Sequence, residues 1–207
     1  MNLRHLIEAA RKPTPWHFSN EVLYQLCSGH PGHTEAGVVL AKVLLIGRAY
    51  AAAIERRKVD RDTSGDDFYI RHVAPAIIRS PIDRWLNQAQ SKQPGTREAL
   101  DVMVRVHGHT TELFRDISGL EKRSLASKYL HFHVPGLFFI YDSRAVQGLR
   151  KVRDFVGAVS NQWEHGDQEY ALFAEKCTRL SKEVTSVFGY KLKPRELDNL
   201  LLALSAR

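Results

Sequence analysis

Cysteine is almost absent from this chain, with Cys27 and Cys177 the only two in 207 residues. Two thiols so far apart build neither a disulfide scaffold nor a Cys-based zinc site, so reduced, cytosolic thiols are the expectation. Long apolar runs are missing as well. Residues 1–16 lack the uninterrupted apolar core of a secretory signal, and the longest apolar stretches elsewhere are broken by Lys42, Arg48 or glycines. The expected protein is soluble and cytoplasmic, with no membrane partner. Alternating strand-like runs are scarce. There is no phosphate-loop glycine pattern, no HExxH zinc-protease helix, no GxSxG nucleophile elbow and no Cys-x-x-Cys, which removes the enzyme classes most easily read from sequence. No internal repeat or low-complexity segment is found.

What remains is an ordinary globular composition with a basic excess. Hydrophobic residues make up 43% and charged residues 26%, enough to bury a substantial core. Thirty Lys plus Arg against 23 Asp plus Glu leave a formal charge of +7 and a pI near 9.5. That balance favours polyanionic partners without naming one.

Helical periodicity dominates, so the fold class is all-α: a compact multi-helix domain, or two lobes around a cleft with a boundary near residues 59–65. Leu3, Leu6, Ile7 and Ala10 share one face of a first helix, which Pro13 and Pro15 end. A second helix is expected from Ser19 or Asn20. The longest candidate runs from Thr34, a suitable N-cap, to about Arg57, where a basic end suits the helix dipole. Within it, Ala49 to Ala53 reads as close helix packing, while Arg48 and Glu55 read as a salt-linked face or, less simply, as pocket residues. Val59 to Gly65 offers no apolar face and reads as a linker. Further helices are expected from about Asp66, from Ser80-Pro81 with serine capping, and after the turn 93–96. Others should cover 122–132, 143–160, 167–187 and 194–205, the last opened by Pro194.

One span carries most of the chemistry, ISGLEKRSLASKYLHFHVPGLFFIYDS, residues 117–143. Ile117-Ser118-Gly119-Leu120 followed by 121–126 reads as helix, glycine turn, helix. Such a turn leaves backbone amides at a helix N-terminus, where orphan N–H groups and the dipole favour phosphate. Lys122 and Arg123 would strengthen that site; an interhelical turn with solvated charges is the plainer account. Asp142 then follows the apolar run 137–140 at the opening of a helix whose early residues include Arg144, Gln147, Arg150 and Lys151. Asp142 or Ser143 can simply cap that helix, although capping does not explain its basic company.

Residues 112–150 resemble the helix-hairpin-helix superfamily of base-excision DNA glycosylases. The resemblance rests on the Gly119 hairpin, the small residue Ala126 in the following helix, the apolar connection and the helix-opening Asp142. The family's second hairpin glycine is replaced by Glu121 or Lys122, and its usual valine-aspartate pair stands here as Tyr141-Asp142. The resemblance implies an enzyme that flips a damaged or modified base out of double-stranded DNA and cleaves its N-glycosidic bond, in repair or in defence against modified foreign DNA. Asp142 would be the catalytic carboxylate. A lysine at the start of the hairpin's second helix would form a Schiff base if the enzyme is bifunctional, with AP-lyase activity. Gap-free counting from Asp142 puts Ser124 at that position and a two-residue shift selects Lys122, while Lys128 lies one helical turn beyond Ser124 on a similar face. Gly119, Arg123, Ser124 and Arg144 are the expected DNA contacts. No cofactor and no metal are called for.

Two other readings use the same residues. The chain could be a noncatalytic nucleic-acid-binding module whose hairpin grips phosphates while Asp142 only caps a helix, or a helical protein-interaction factor with an incidental basic surface. His131 and His133 suit packing or hydrogen bonding better than metal ligation, since a helix would separate them and no acidic cluster completes a site. His107 and His109 around Gly108 read as a helix interruption or partner surface. Trp16, Trp85 and Trp163 read as core, with base-pocket lining as the alternative. The oligomeric state is left open.

Overall fold

The computed structural model describes residues 2–56, 58, 65–159, 163 and 166–206, and among these the regular structure is entirely helical. In chain order the elements are α1 (Leu3–Ala10), α2 (His17–Gly29), α3 (Ala36–Ala49), α4 (Gly65–Phe68), a π-helical segment (Tyr69–Val73), α5 (Ala74–Arg79) and α6 (Ile82–Gln90). There follow α7 (Arg97–Ser118), α8 (Arg123–His133), α9 (Ser143–Arg150), α10 (Arg153–Val156), α11 (Gln168–Phe188) and α12 (Pro194–Ser205). The all-α expectation holds. Most of the expected linker, residues 59–64, lies outside the described residues, and Gly65 opens α4.

α8 is the buried axis. Every residue from Leu125 to Phe132 is buried, and α2, α3 and α7 pack around it. A helix wetted on no face normally carries apolar residues all round. This one also carries Ser127, Lys128 and His131, and each has a polar partner. The apolar connection 134–141 then leads to α9, which lies against α12 closely enough that a Cβ on Gly148 would meet the Leu201 carbonyl oxygen at 2.0 Å. Only glycine fits there.

Four local expectations change. Thr34 does not cap α3, whose N-cap is Glu35 with no side-chain capping bond. The helix expected to reach Arg57 ends at Ala49, because the chain turns through Ala51 in the left-handed region at φ 51°. The amides of Ala51 and Ala52 return to the carbonyls of Arg48 and Gly47, at 3.3 and 2.7 Å, a Schellman closure with alanine where glycine is usual. Ser80 does not cap α6; its hydroxyl donates back to the Ile77 carbonyl at 2.7 Å. The helix expected over 143–160 stops at Arg150, with Val152 out of helical geometry at φ −118° and buried; α10 follows and ends at Gly157, φ 72°. The π segment also has a local cause. Pro75 has no amide to return to Arg71, and the register slips so that the Ala74 amide bonds to Tyr69 instead.

Candidate functional site

Asp142 is the N-cap of α9, its Oδ1 accepting the Ala145 amide at 2.9 Å. That satisfies one carboxylate oxygen. The other, Oδ2, lies 3.4 Å from the Nζ of Lys128, whose side chain is 4% exposed while that of Asp142 is 27% exposed. The capping explanation and the functional one are therefore not exclusive, because the two oxygens serve different partners.

Ser127 sets this geometry. Its buried hydroxyl accepts the Tyr141 amide at 2.9 Å and lies 3.0 Å from the Ser124 carbonyl and 3.3 Å from the Tyr141 carbonyl. The strap leading into α9 is thereby fixed to α8 one residue before Asp142 and one residue before Lys128. The Tyr141 ring packs edge-on against Phe173, and its hydroxyl donates to Glu169.

Lys128 donates to Ser124 Oγ at 2.9 Å and to the Tyr50 carbonyl at 3.4 Å. Ser124 and Lys128 thus meet as neighbours one turn apart, and the Tyr50 carbonyl is available because α3 ends there. Burial lowers the Lys128 pKa below the ordinary lysine value, and the Asp142 carboxylate opposes that shift. The result is an ammonium easier to deprotonate than a surface lysine, held beside a carboxylate.

Asp142, Lys128, Ser124 and Arg144 all line one cavity of about 900 Å3, larger than four other hollows of about 380 to 530 Å3. Its size falls within the range typical of small-molecule sites. Tyr50 and Trp16 contribute aromatic wall, and Trp16 is 72% exposed rather than core. Arg195 and Asp198, from the first turns of α12, complete the wall. The Arg195 guanidinium donates from Nε to Tyr24 Oη at 3.1 Å and from Nη1 to Asp198 Oδ2 at 3.0 Å, and it lies over the rings of Tyr24, Tyr50 and Phe132. Burial raises the Asp198 pKa to about 6; Arg195 opposes this and Asp142 adds to it. The cavity therefore contains two carboxylates, one buried lysine and one partly buried arginine within a single electrostatic group.

The remaining expected residues sit elsewhere. Gly119 ends α7 in the left-handed conformation, φ 73°, and links it to α8, so the glycine turn is present. Arg123 does not reach the cavity: it pairs with Asp167, with Glu121 at 3.1 Å and with Glu169 at 2.9 Å. Through Glu169 it is tied to Tyr141, and so acts on the site from behind. Lys122 lies on the exposed side of the turn, its Nζ 2.6 Å from the Arg56 carbonyl, and does not line the cavity. Arg144 is exposed on the first turn of α9, and among the described residues it has no ion-pair partner.

The histidines are structural in their contacts. His131 accepts from or donates to Tyr24 Oη at 2.7 Å and bonds the Phe138 carbonyl at 2.8 Å, and burial lowers its pKa to about 3. His107 lies inside unbroken α7, stacked on Tyr170, with its pKa likewise lowered to about 3 by burial. Among the described residues no group of three or more His, Cys, Asp or Glu could hold a metal ion, and no helix is long and apolar enough to cross a membrane.

Sequence reasoning missed Ser127, Tyr50, Arg195 and Asp198. Ser127 carried little local signal, since its neighbours one turn away, Arg123, Ser124 and His131, are polar as well. The other three reach the site only through contacts between distant parts of the chain. Compared with protein families, curated proteins and solved structures, the chain matches none.

Proposed function

We propose that the protein is a base-excising DNA glycosylase whose active site is the cavity holding Lys128 and Asp142. One observation carries this reading: a buried lysine with a lowered pKa and the carboxylate oxygen that Asp142 does not use in capping meet at 3.4 Å in the wall of a cavity large enough for a nucleotide. The resemblance of residues 112–150 to helix-hairpin-helix glycosylases gives that pairing its chemistry. An enzyme acting at C1′ must first rotate the nucleotide out of the stack, at a cost of a few kcal/mol.

As the glycosidic bond breaks, its electron pair leaves with the base and positive charge grows on the sugar. Asp142 Oδ2 stabilises that charge. Lys128 passes a proton to the departing base, which leaves with the electron pair of the broken bond, and its amine lone pair forms the new bond to C1′. Lys122, held outside the cavity at the Arg56 carbonyl, is the weaker candidate nucleophile. Arg144 is the proposed phosphate contact at the mouth; Gly119 and the first amides of α8 provide a second. Arg123, already shared among three carboxylates, positions Tyr141 rather than DNA.

The test is base release. Wild-type protein incubated with duplexes carrying assorted damaged and modified bases should generate abasic sites from at least one, and Asp142→Asn should reduce this by a hundredfold or more while leaving DNA affinity within a few-fold. Salt-sensitive binding with no product from any base would instead assign the protein as a nucleic-acid-binding module.

A further inference from the structure

The cavity that holds Lys128 and Asp142 has a neighbour. A second hollow of about 500 Å3 shares Thr14, Asn20, Arg195 and Asn199 with it, so the two adjoin along these four side chains. Four cations, Arg11, Lys12, Lys193 and Arg195, line the second hollow against two carboxylates, Glu21 and Glu196. Glu196 accepts the Lys193 amide at 2.8 Å, Arg11 lies over the Tyr190 ring at 4.6 Å, and Arg195 is held by Tyr24 and Asp198. Lys12 and Lys193 differ: both are exposed, and neither has an ion-pair partner among the described residues. Arg144, in the first cavity, shares both properties. Unpaired cations therefore stand in both hollows. The segment that walls the two is stiff, because Pro13 and Pro15 fix their φ angles and the His17 amide bonds back to the Thr14 carbonyl at 2.9 Å. It carries Trp16 in the wall of the first cavity, 72% exposed and without a ring contact among the described residues. An aromatic face held in place among cations is the combination that binds an unstacked nucleic-acid strand.

We propose that the two hollows form one strand-binding groove, in which the DNA strand carrying the extruded nucleotide runs from Arg144, across the first cavity, to Lys12 and Lys193, with Trp16 stacked on the base next to the extruded one. The partner is the phosphate backbone of a locally unstacked strand. Extruding a nucleotide turns its flanking phosphates out of helical register, and cations in both hollows hold them there. Trp16 replaces the stacking that the neighbouring base loses. A small anion would use one cation cluster, whereas two clusters with an aromatic wall between them suit a polyanion that carries bases between its charges. Stacking on an indole tolerates any base, so the groove grips the strand without reading its sequence.

The groove rests on the base-excision reading for its ligand, and its test uses binding alone. The probe is a duplex with one tetrahydrofuran abasic-site analogue, which has no base to release and is easily unstacked. In a plot of log affinity against log salt concentration, Lys12→Gln and Lys193→Gln should each reduce the slope by about 0.7 to 0.9. Lys182→Gln, exposed at a different hollow, should leave it unchanged. Binding should quench the tryptophan fluorescence of the wild type. Trp16→Phe should remove most of that quenching while keeping affinity within a few-fold, and Trp16→Ala should weaken binding about tenfold. All four positions are exposed, so the variants should keep the wild-type melting temperature. An unchanged slope in both groove lysine variants, an equal loss in Lys182→Gln, quenching that survives in Trp16→Phe, or no binding of the probe by the wild type overturns the groove. The predicted slopes and quenching without base release from any substrate would keep the groove and discard the glycosylase; base release with slopes and quenching unaltered by the substitutions would do the reverse.

Discussion

At the scale of single residues, the site depends on a few side chains whose positions are set by backbone contacts. Ser127 is the clearest. Replacing it with alanine leaves the Tyr141 amide buried and unpaired, and a loss of about 1–3 kcal/mol is expected in chemical denaturation. Because the same hydrogen bond sets the approach of Asp142 to Lys128, Ser127→Ala should also slow base release with little change in DNA affinity. Ala51 makes the opposite case. It occupies the left-handed region at the end of α3, beside the cavity, where glycine carries no Cβ penalty. Ala51→Gly should therefore raise stability by about 1 kcal/mol, measurable as a higher melting temperature. Asp142 was legible in sequence because a carboxylate after an apolar run and before a helical pattern is a recognisable opening. Lys128 followed from helical spacing alone, one turn beyond Ser124. Arg195 and Asp198 were not legible: an Arg and an Asp three apart on an amphipathic helix look like a surface ion pair, and only tertiary packing, with Arg195 laid over Tyr24, Tyr50 and Phe132, takes them out of water.

At the scale of elements, the site is built where helix ends converge. α3 ends at the Tyr50 carbonyl that receives Lys128, α9 begins at Asp142, and α12 begins with Arg195 and Asp198 on its first turns. Two of these meet across Gly148. Gly148→Ala would drive a methyl into the Leu201 backbone, which cannot rotate away, so α9 and α12 must separate. A destabilisation of about 3 kcal/mol is expected, at the upper end for overpacking, together with loss of the cavity. Urea denaturation of the variant would measure it. The helix pattern itself was largely readable, since apolar spacing, Pro194 and the turn at 93–96 mark real boundaries. The misplaced ends share one cause. Ala51, Ser80 and Val152 are determined by where the chain must go next, and local preference could not override that.

At the scale of the whole molecule, burial has neutralised several histidines. His107 and His131 are fully buried and His133 is partly buried, and burial lowers all three below their ordinary value, the first two to about 3. The unfolded chain takes up protons near pH 6.5 that the folded chain does not, so stability falls as pH drops below that point, by up to about 1.4 kcal/mol per histidine per pH unit. Asp198 acts with the opposite sign. Its raised value means the folded state holds a proton the unfolded state has released, and between about pH 4 and 6 stability is lost as pH rises. Three groups outweigh one, so the melting temperature should drop between pH 7 and pH 5. Both thiols are buried and free, with burial raising the Cys27 pKa to about 12, and neither should react with a thiol reagent until the protein unfolds.

The +7 charge was the broadest sequence signal, and it says only that a polyanion is welcome. The function proposed here depends instead on Lys128 and Asp142 working as a pair, and the most direct measurement is the single-turnover rate of base release by wild-type, Lys128→Gln and Lys122→Gln proteins of matched stability. The account predicts at least a hundredfold loss for Lys128→Gln and a near wild-type rate for Lys122→Gln. Undiminished release from Lys128→Gln, or loss confined to Lys122→Gln, would contradict it.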